Sequence, residues 1–383
     1  MKKLLFLLFF LSFFSGYSQS EKIEENFNSF RLGEVRSIFI HLPESYQRNP
    51  KKKYPLLFLM DGDYLYDPFL GALNFGTYFD DFPEVIIVGV NQNINHERDT
   101  DCAVEEGSGL PEEKTRKFFE FIGMELIPSI QKKYRVAPFK IIAGHDLTAG
   151  FTNLFLFNEE PLFSGYISFS SELPYNMDVL LADRFDKLTN PCYYYQSSSD
   201  SDDEKMLERI KVVDEAAKKI NKPNFSYKYD EFKNTSHYSV VLNSIPNALY
   251  HIFSAYRPIP TSEYSEKIVT LKSGYVDYLK NKYEILDKQF NVKMPIRFID
   301  FKAIETAIIK NQAYGEMEQL ADLAKKVYPK SMLGDYLLAV MYENKEDFSN
   351  AKKSFKTAYQ REAIGDLTKT MMLDKVYLYK DYQ

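Results

Sequence analysis

The sequence predicts an α/β fold with a mostly parallel sheet, followed by a small all-α domain. From about residue 30 to 255, short apolar runs alternate with segments of helical periodicity, as in strands that are buried on both faces and connected by helices. Pro258 and Pro260 end this alternation, and the pattern beyond them is helical. The 383 residues, 45% of them hydrophobic, are enough for one large and one smaller domain. We expect these domains at residues 25–257 and 262–383.

Six apolar runs of the first domain are predicted as strands. They read VRSIFIHLP, YPLLFLMDGD, PEVIIVGV, FKIIAGHD, FSGYISFSS and NPCYYYQSS. Two further segments, EKTRKFFEFIGMELIPSIQKKY and SDDEKMLERIKVVDEAAKKINKP, carry apolar residues at helical spacing and a charged outer face. This arrangement places helices on both faces of the sheet.

The helical domain has an internal period of 34 residues, which is the period of a tetratricopeptide repeat. Four residue pairs are separated by this distance: Tyr314 and Phe348, Met317 and Ala351, Ala321 and Phe355, and Ala324 and Ala358. Pro329 lies at the junction between the two units. Two interpretations remain open. The domain is either a repeat module that binds a protein or peptide partner in its groove, or a helical cap that packs on the first domain.

The first residues have the pattern of a secretory signal peptide. Two lysines precede an apolar stretch from Leu4 to Phe14, and Gly16 and Ser18 are small residues at the positions that signal peptidase requires. The apolar stretch is shorter than the roughly 20 residues that span a membrane. We therefore expect residues 1–18 to be cleaved, the protein to be periplasmic or secreted, and the mature chain to have no transmembrane segment.

The composition argues against several kinds of partner. The net charge of −6 is mild, and no basic stripe is present, so nucleic acid is not an expected partner. Cys102 and Cys192 are the two cysteines, and in an exported chain they could form one disulfide. The five histidines have no spacing typical of a zinc site, so neither a metal nor a cofactor is predicted.

The segment FKIIAGHDLTAGFTNLFLF, from Phe139 to Phe157, reads as a strand, a sharp turn and a helix. This is the layout of the nucleophile elbow of α/β hydrolases, whose pattern is G-x-S-x-G. In this chain Asp146 stands at the tip, where the pattern has serine, and Thr148 stands where it has the second glycine. The sequence therefore predicts an elbow without its usual nucleophile.

Several blocks resemble, in order and spacing, those of the Putative esterase family, which includes esterase D and enterochelin esterases. The blocks are YPLLFLMDGD, VIIVGVNQN…RDTD, FFEFIGMELIPSIQKKYRV, IIAGHDLTAGF, FSGYISFSSEL and SHYSVV, and they extend over most of residues 30–255. The resemblance implies an α/β-hydrolase fold, a small ester-like ligand and a catalytic site. In that site Asp146 would take the nucleophile position and His237 the position of the base.

The resemblance also implies an acid and an oxyanion hole. The acid falls just after the strand YYYQ, where Asp200 is the best match and Asp202 and Asp203 are close alternatives. The oxyanion hole would use the backbone N–H of Leu147 and the turn formed by Gly62 and Asp63.

Two departures from the family pattern argue against the usual reaction. Asp146 has no hydroxyl proton for a histidine to remove, and carboxylate attack on an ester would give a mixed anhydride. An ion pair with Asp146 would also raise the pKa of His237. Thr148 is β-branched where a tight elbow favours glycine, so we expect a relaxed elbow. On this basis Asp146→Ser alone should recover little esterase activity, and Asp146→Ser with Thr148→Gly should recover more.

Three functions are compatible with these observations. The first is a catalytically degenerate protein of the esterase family that works by binding. The second is an active hydrolase for ester or epoxide-type substrates, in which Asp146 is the nucleophile and His237 activates water, because the string GHD is similar to the elbow of epoxide hydrolases. The third is an esterase with another nucleophile, such as Ser170 or Ser171.

Overall fold

The computed structural model describes residues 22–93, 95–290 and 294–382. The predicted signal peptide, residues 1–18, lies outside these ranges. The chain divides into two compact units, Met1–Ile252 and Phe253–Gln383. Among the described residues, no helix combines the length and the apolar character that crossing a membrane requires.

The first unit is built on one sheet of eight strands. In chain order they are β1 (Lys22–Ser29), β2 (Glu34–His41), β3 (Tyr54–Leu59), β4 (Ile86–Val90), β5 (Val136–His145), β6 (Gly165–Phe169), β7 (Cys192–Ser199) and β8 (Phe225–Phe232). Their order across the sheet is β1-β2-β4-β3-β5-β6-β7-β8. Only the β1–β2 and β2–β4 pairs are antiparallel. This sheet confirms the predicted α/β fold with mostly parallel strands.

The two edge strands were not predicted. β1, with the sequence KIEENFNS, alternates exposed and half-buried residues, and β8, FSYKYDEF, is half-buried along most of its length. The central strands β3, β4 and β6 are buried at every position and therefore consist of apolar runs. An edge strand contacts fewer neighbours, so its sequence needs fewer apolar residues, and the alternation signal becomes weak.

Eight α-helices flank the sheet in the described part of the first unit. They are α1 (Gly62–Tyr78), α2 (Glu97–Asp101), α3 (Glu113–Glu120), α4 (Ile127–Lys133), α5 (Leu147–Thr152), α6 (Met177–Lys187), α7 (Glu204–Ala217) and α8 (Val240–Ile252). A π-helical stretch, Phe121–Leu126, connects α3 and α4, so the first predicted helix is continuous in backbone but not uniformly α. Cys102 and Cys192 are buried and free, so the disulfide that the composition allowed is not formed.

The described part of the second unit is helical. It contains α9 (Thr261–Glu263), α10 (Tyr275–Phe290), α11 (Phe298–Lys310), α12 (Met317–Val327), α13 (Leu333–Asn344), α14 (Phe348–Tyr359) and α15 (Lys369–Leu378). Three of the four residue pairs at the 34-residue spacing are buried on α12 and α14. A tetratricopeptide-like module remains a prediction for this unit.

Candidate active site

The elbow lies where β5 meets α5. Asp146 has backbone angles of φ 59° and ψ −121°, a left-handed conformation that is strained for a residue with a side chain. A Cβ added to Gly144 would lie 2.8 Å from the backbone nitrogen of Ala149, and one added to Gly150 would lie 2.0 Å from the carbonyl oxygen of Glu172. Backbone therefore approaches closely on both sides of the turn, as in a nucleophile elbow.

The expectation that Thr148 relaxes the elbow is wrong. Its side chain is fully buried, and its hydroxyl donates to Oδ2 of Asp61 at 2.5 Å and accepts the backbone N–H of His145 at 3.0 Å. Asp61 belongs to the turn after β3, so the threonine hydroxyl joins the elbow to that turn. The Thr148 side chain therefore stabilises the turn, because its hydroxyl has a hydrogen-bond partner in the elbow and another in the turn after β3.

His237 is paired with Asp202, one of the two predicted alternatives, and not with Asp200, which was the best match for the acid. Its Nδ1 lies 2.7 Å from Oδ1 of Asp202. The carboxylate of Asp200 instead accepts the backbone N–H groups of Asn234 at 2.9 Å and Thr235 at 3.3 Å, and so stabilises the turn before the histidine. Three aspartates follow β7 within four positions, and the direction of each carboxylate depends on turn geometry that the sequence does not specify.

Other donors fix the Asp202 carboxylate. The Ser170 hydroxyl donates to its Oδ2 at 2.6 Å, and the Ser199 backbone N–H donates to the same atom at 2.8 Å. Burial alone would raise the pKa of Asp202, but the bonds from His237 and these two donors outweigh it and hold the pKa below its ordinary value. Asp202 is therefore a charged partner that fixes the orientation of the histidine ring.

The hydrogen bond to Asp202 is the largest cause of a raised pKa of His237, and the charges of Asp202 and Asp146 add to it. A raised pKa in the folded state means that this pairing stabilises the protein below the ordinary pKa of histidine. The contribution is then lost as the pH rises through the folded-state value. We expect Asp202→Asn to lower the pKa of His237, as measured by NMR titration of the imidazole resonances.

Asp200→Asn is the matched control, because it removes a nearby carboxylate that does not contact the ring. It should leave the His237 titration almost unchanged. An equal fall in the pKa of His237 in both variants would contradict the assignment of Asp202 as the acid.

Arg98, a residue with no predicted role, connects the elbow to the turn after β3. Its Nε donates to Oδ1 of Asp61 at 2.8 Å, and its Nη2 donates to the carbonyl oxygen of His145 at 2.8 Å. The contacts with Oδ2 of Asp146 are longer, 3.3 Å from Nη1 and 3.4 Å from Nη2. The signal for this residue was its place in the polar segment after β4, where it lies on the short helix α2, since ligand sites form at the carboxyl ends of parallel strands.

Asp146 faces His237 without a direct hydrogen bond. Its Oδ1 lies 3.8 Å from Nε2 of the imidazole. His145, the residue before it, has a pKa lowered by burial and is therefore neutral near pH 7. We assign its Nε2–H as the donor to the carbonyl oxygen of His237, 3.1 Å away. The predicted nucleophile position and base are thus brought together, and His145 fixes the backbone of the loop that carries His237.

The predicted oxyanion elements lie at the starts of two helices. Leu147 begins α5 and Gly62 begins α1, and the first N–H groups of a helix have no partner within it. Gly62 is required by space, because an added Cβ would lie 2.6 Å from the ring of Phe39. The Asp63 carboxylate is engaged elsewhere, since it accepts the backbone N–H of Gln92 at 3.0 Å. The oxyanion role of these residues remains a prediction.

Arg98, Asp146 and His237 line an open cavity of about 520 Å³, which we call the elbow cavity. Its polar lining residues are Asn93, Arg98, His145, Asp146 and His237, and its apolar and aromatic lining residues are Tyr64, Pro68, Tyr238, Val241 and Leu242. Ser170 and Ser171 are buried and do not line it. In the described part of the chain, no cluster of His, Cys, Asp and Glu side chains is arranged to hold a metal ion.

Comparison with known proteins identifies related sequences and structures. The family model described as Putative esterase matches residues 29–239, more than half of the chain. No curated protein matches the sequence.

The chain is similar to many solved structures, and three crystal structures illustrate this. An uncharacterised protein from Capnocytophaga ochracea DSM 7271 is 26% identical, with a TM-score of 0.80, covering 94% of this chain and 100% of its own. An IroE-like serine hydrolase from Shewanella oneidensis is 20% identical, with a TM-score of 0.57, covering 80% of this chain and 99% of its own. BES protein from Bacillus cereus is 23% identical, with a TM-score of 0.52, covering 61% and 95%. At their identities, the last two establish likeness of fold alone.

Proposed function

Since the chain belongs to the Putative esterase family of α/β hydrolases, we propose that it binds a small ligand in the elbow cavity and does not hydrolyse esters through an acyl-serine intermediate. One observation carries the proposal: the carboxylate of Asp146 stands in the nucleophile position, between Arg98 and His237. This group has no proton for the histidine to remove. Two carboxylates beside the imidazole also favour its protonated form, which is not a base.

The proposal is tested by covalent labelling of the purified protein. We expect no reaction with a fluorophosphonate probe and no hydrolysis of short p-nitrophenyl esters above the rate of a His237→Gln variant. Robust labelling at any serine would disprove the proposal. The third hypothesis, esterase activity through Ser170 or Ser171, has little support, because the Ser170 hydroxyl is committed to Asp202 and neither serine lines the cavity.

The second candidate function is hydrolysis with Asp146 as the nucleophile. The strained backbone of Asp146 and the short His237–Asp202 hydrogen bond favour it, because both are features of a working elbow. After one turnover of an epoxide in water labelled with oxygen-18, Asp146 would carry one labelled atom, detectable by peptide mass spectrometry. An unlabelled Asp146 across alkyl electrophiles that bind the cavity would exclude this candidate.

We also propose that the protein is exported, on the basis of the signal-peptide pattern of residues 1–18. The expected mature protein begins at Gln19 and is found in the periplasm or the medium. N-terminal sequencing of the protein from the native cell envelope tests this, and retention of Met1 would contradict it.

For the second unit we propose a groove that binds a peptide. A depression of about 650 Å³ lies in this unit, and its charged lining residues are Glu305, Glu343, Asp374 and Lys375, of which Lys375 is paired with Glu343. Its apolar lining consists of Ile309, Val340, Phe355, Met371, Met372 and Leu378. This chemistry fits a peptide with an apolar anchor beside a basic residue. Peptides selected from a displayed library should have that pattern and lose binding to Met371→Glu, and peptides without it would contradict the proposal.

A further inference from the structure

The charged groups at and next to the elbow cavity include more carboxylates than cationic groups. Three carboxylates, those of Asp61, Asp146 and Asp202, surround one guanidinium and one imidazole. Asp146 lines the cavity, whereas Asp61 and Asp202 are buried next to the residues that line it. These five groups together therefore carry a net negative charge whether His237 is protonated or neutral. The lining residues include a single Lys or Arg, which is Arg98.

Arg98 is held mainly by acceptor groups of the protein itself. Its shortest bonds go to the buried carboxylate of Asp61 and to the carbonyl oxygen of His145, each at 2.8 Å. Asp61 is fully buried, so moving the guanidinium away would leave an unpaired charge out of contact with water. Burial lowers the pKa of Arg98, but the Asp61 carboxylate outweighs burial and holds the pKa above its ordinary value. Asp61 is thus the main ion-pair partner of the Arg98 guanidinium.

Asp146 is the carboxylate with acceptor capacity left over. Its contacts with Arg98 are 3.3 and 3.4 Å long, and its Oδ1 lies 3.8 Å from the nearest imidazole nitrogen, beyond hydrogen-bond distance. The side chain is 24% exposed and lines the cavity. A carboxylate in this position can accept N–H groups from a ligand that enters the cavity.

The apolar and aromatic lining residues of the cavity are suited to the apolar part of such a ligand. Tyr238 is 78% exposed and Leu242 is 62% exposed, and both line the cavity with Val241 and Pro68. The rings of Tyr64 and Tyr238 each present an aromatic surface, which attracts a cation as well as hydrocarbon. Their exposure means that a ligand would cover apolar surface that is now in water.

We propose that the elbow cavity binds a small organic cation, an ammonium group on an apolar body, with the ammonium donating to Asp146 and the apolar body against Tyr238 and Leu242. This inference rests on the proposed binding function and names the class of ligand. In this protein the change from serine to aspartate exchanges a nucleophile for a recognition group. Anionic and neutral molecules of the same shape lack the positive charge that would pair with the Asp146 carboxylate.

The test uses the full chain and three molecules of similar shape, measured by isothermal titration calorimetry at pH 7: phenethylamine, phenethyl alcohol and 3-phenylpropionate. We expect phenethylamine to bind at least about tenfold more tightly than the alcohol, and the carboxylate to bind more weakly than both. Asp146→Asn, which keeps the shape of the side chain, should abolish the preference for the amine while leaving the affinity for the alcohol nearly unchanged.

Equal affinity for the amine and the alcohol, or tighter binding of 3-phenylpropionate, would overturn the inference. So would an Asp146→Asn variant that keeps the preference for the amine, because the charge would then lie elsewhere. The same wild-type samples are treated with a fluorophosphonate. Labelling would disprove the proposed function, whereas an unlabelled protein that prefers the alcohol disproves the cationic ligand alone.

Discussion

Replacing Asp146 with serine is expected to create an enzyme that reacts with a fluorophosphonate and hydrolyses p-nitrophenyl acetate. The elbow already has the backbone conformation of a nucleophile turn, and His237 is already oriented by Asp202 at 2.7 Å. The substitution supplies a hydroxyl and removes the carboxylate that helps to raise the pKa of His237. The imidazole can then act as a base at a lower pH.

The expected gain is large because general-base catalysis contributes on the order of a hundredfold or more. We therefore expect Asp146→Ser to exceed the wild-type rate by about that factor, as an initial rate with saturating substrate. Asp146→Asn is the control, since it removes the same charge without supplying a nucleophile, and it should remain inactive. Loss of the new activity in Asp146→Ser with His237→Gln would show that the histidine is the base.

The structure reverses the expected order of the single and double variants. Thr148→Gly removes a hydroxyl that holds both the Asp61 carboxylate and the His145 N–H, and it adds backbone freedom at the turn. A displacement of about 1 Å at a nucleophile can cost on the order of a hundredfold in rate. Asp146→Ser should therefore be more active than Asp146→Ser with Thr148→Gly. A faster double variant would restore the interpretation of a relaxed elbow.

The central fold could be predicted from the sequence because burial dictates composition there. Strands such as β3 and β6 are covered on both faces, so their residues are apolar without interruption. The edge strands β1 and β8 satisfy weaker constraints and resemble polar loops in sequence. The elbow around Asp146 and the position of His237 beside it could be predicted because each lies in a local pattern that resembles the family's.

The remaining parts of the site depend on contacts between distant segments. Asp202 and Asp200 differ in role because a turn points one carboxylate at His237 and the other at backbone N–H groups. Arg98 reaches the elbow from the short helix α2 after β4, and Thr148 reaches Asp61 across 87 positions of the chain. No local pattern encodes such a contact, which is why Thr148 was interpreted as a defect in the elbow.

Asp61→Ala is expected to be the most destabilising substitution in the site. The Asp61 side chain is fully buried, and it accepts from Arg98 at 2.8 Å and from Thr148 at 2.5 Å. Its removal leaves a guanidinium that is only 17% exposed without its main partner. Breaking a buried ion pair from one side costs about 3–5 kcal/mol, which for a unit of this size lowers the melting temperature by roughly 6–20 °C. Thermal unfolding followed by circular dichroism measures this change.

Asp63→Ala provides the comparison, because it removes a carboxylate two positions away whose partners are neutral donors, the backbone N–H groups of Gln92 and Asn93 and the side-chain amide of Asn93. It should cost about 2 kcal/mol, within the range for leaving hydrogen-bond donors without their acceptor. Similar losses of unfolding free energy in both variants would contradict the prediction that Asp61 stabilises the site more than Asp63 does.

The Asp61→Ala substitution should also change ligand binding. Without Asp61, the Arg98 guanidinium is free to pair with Asp146, and this pairing should weaken the binding of phenethylamine to Asp146. Two independent measurements, stability and ligand affinity, thus test the same carboxylate.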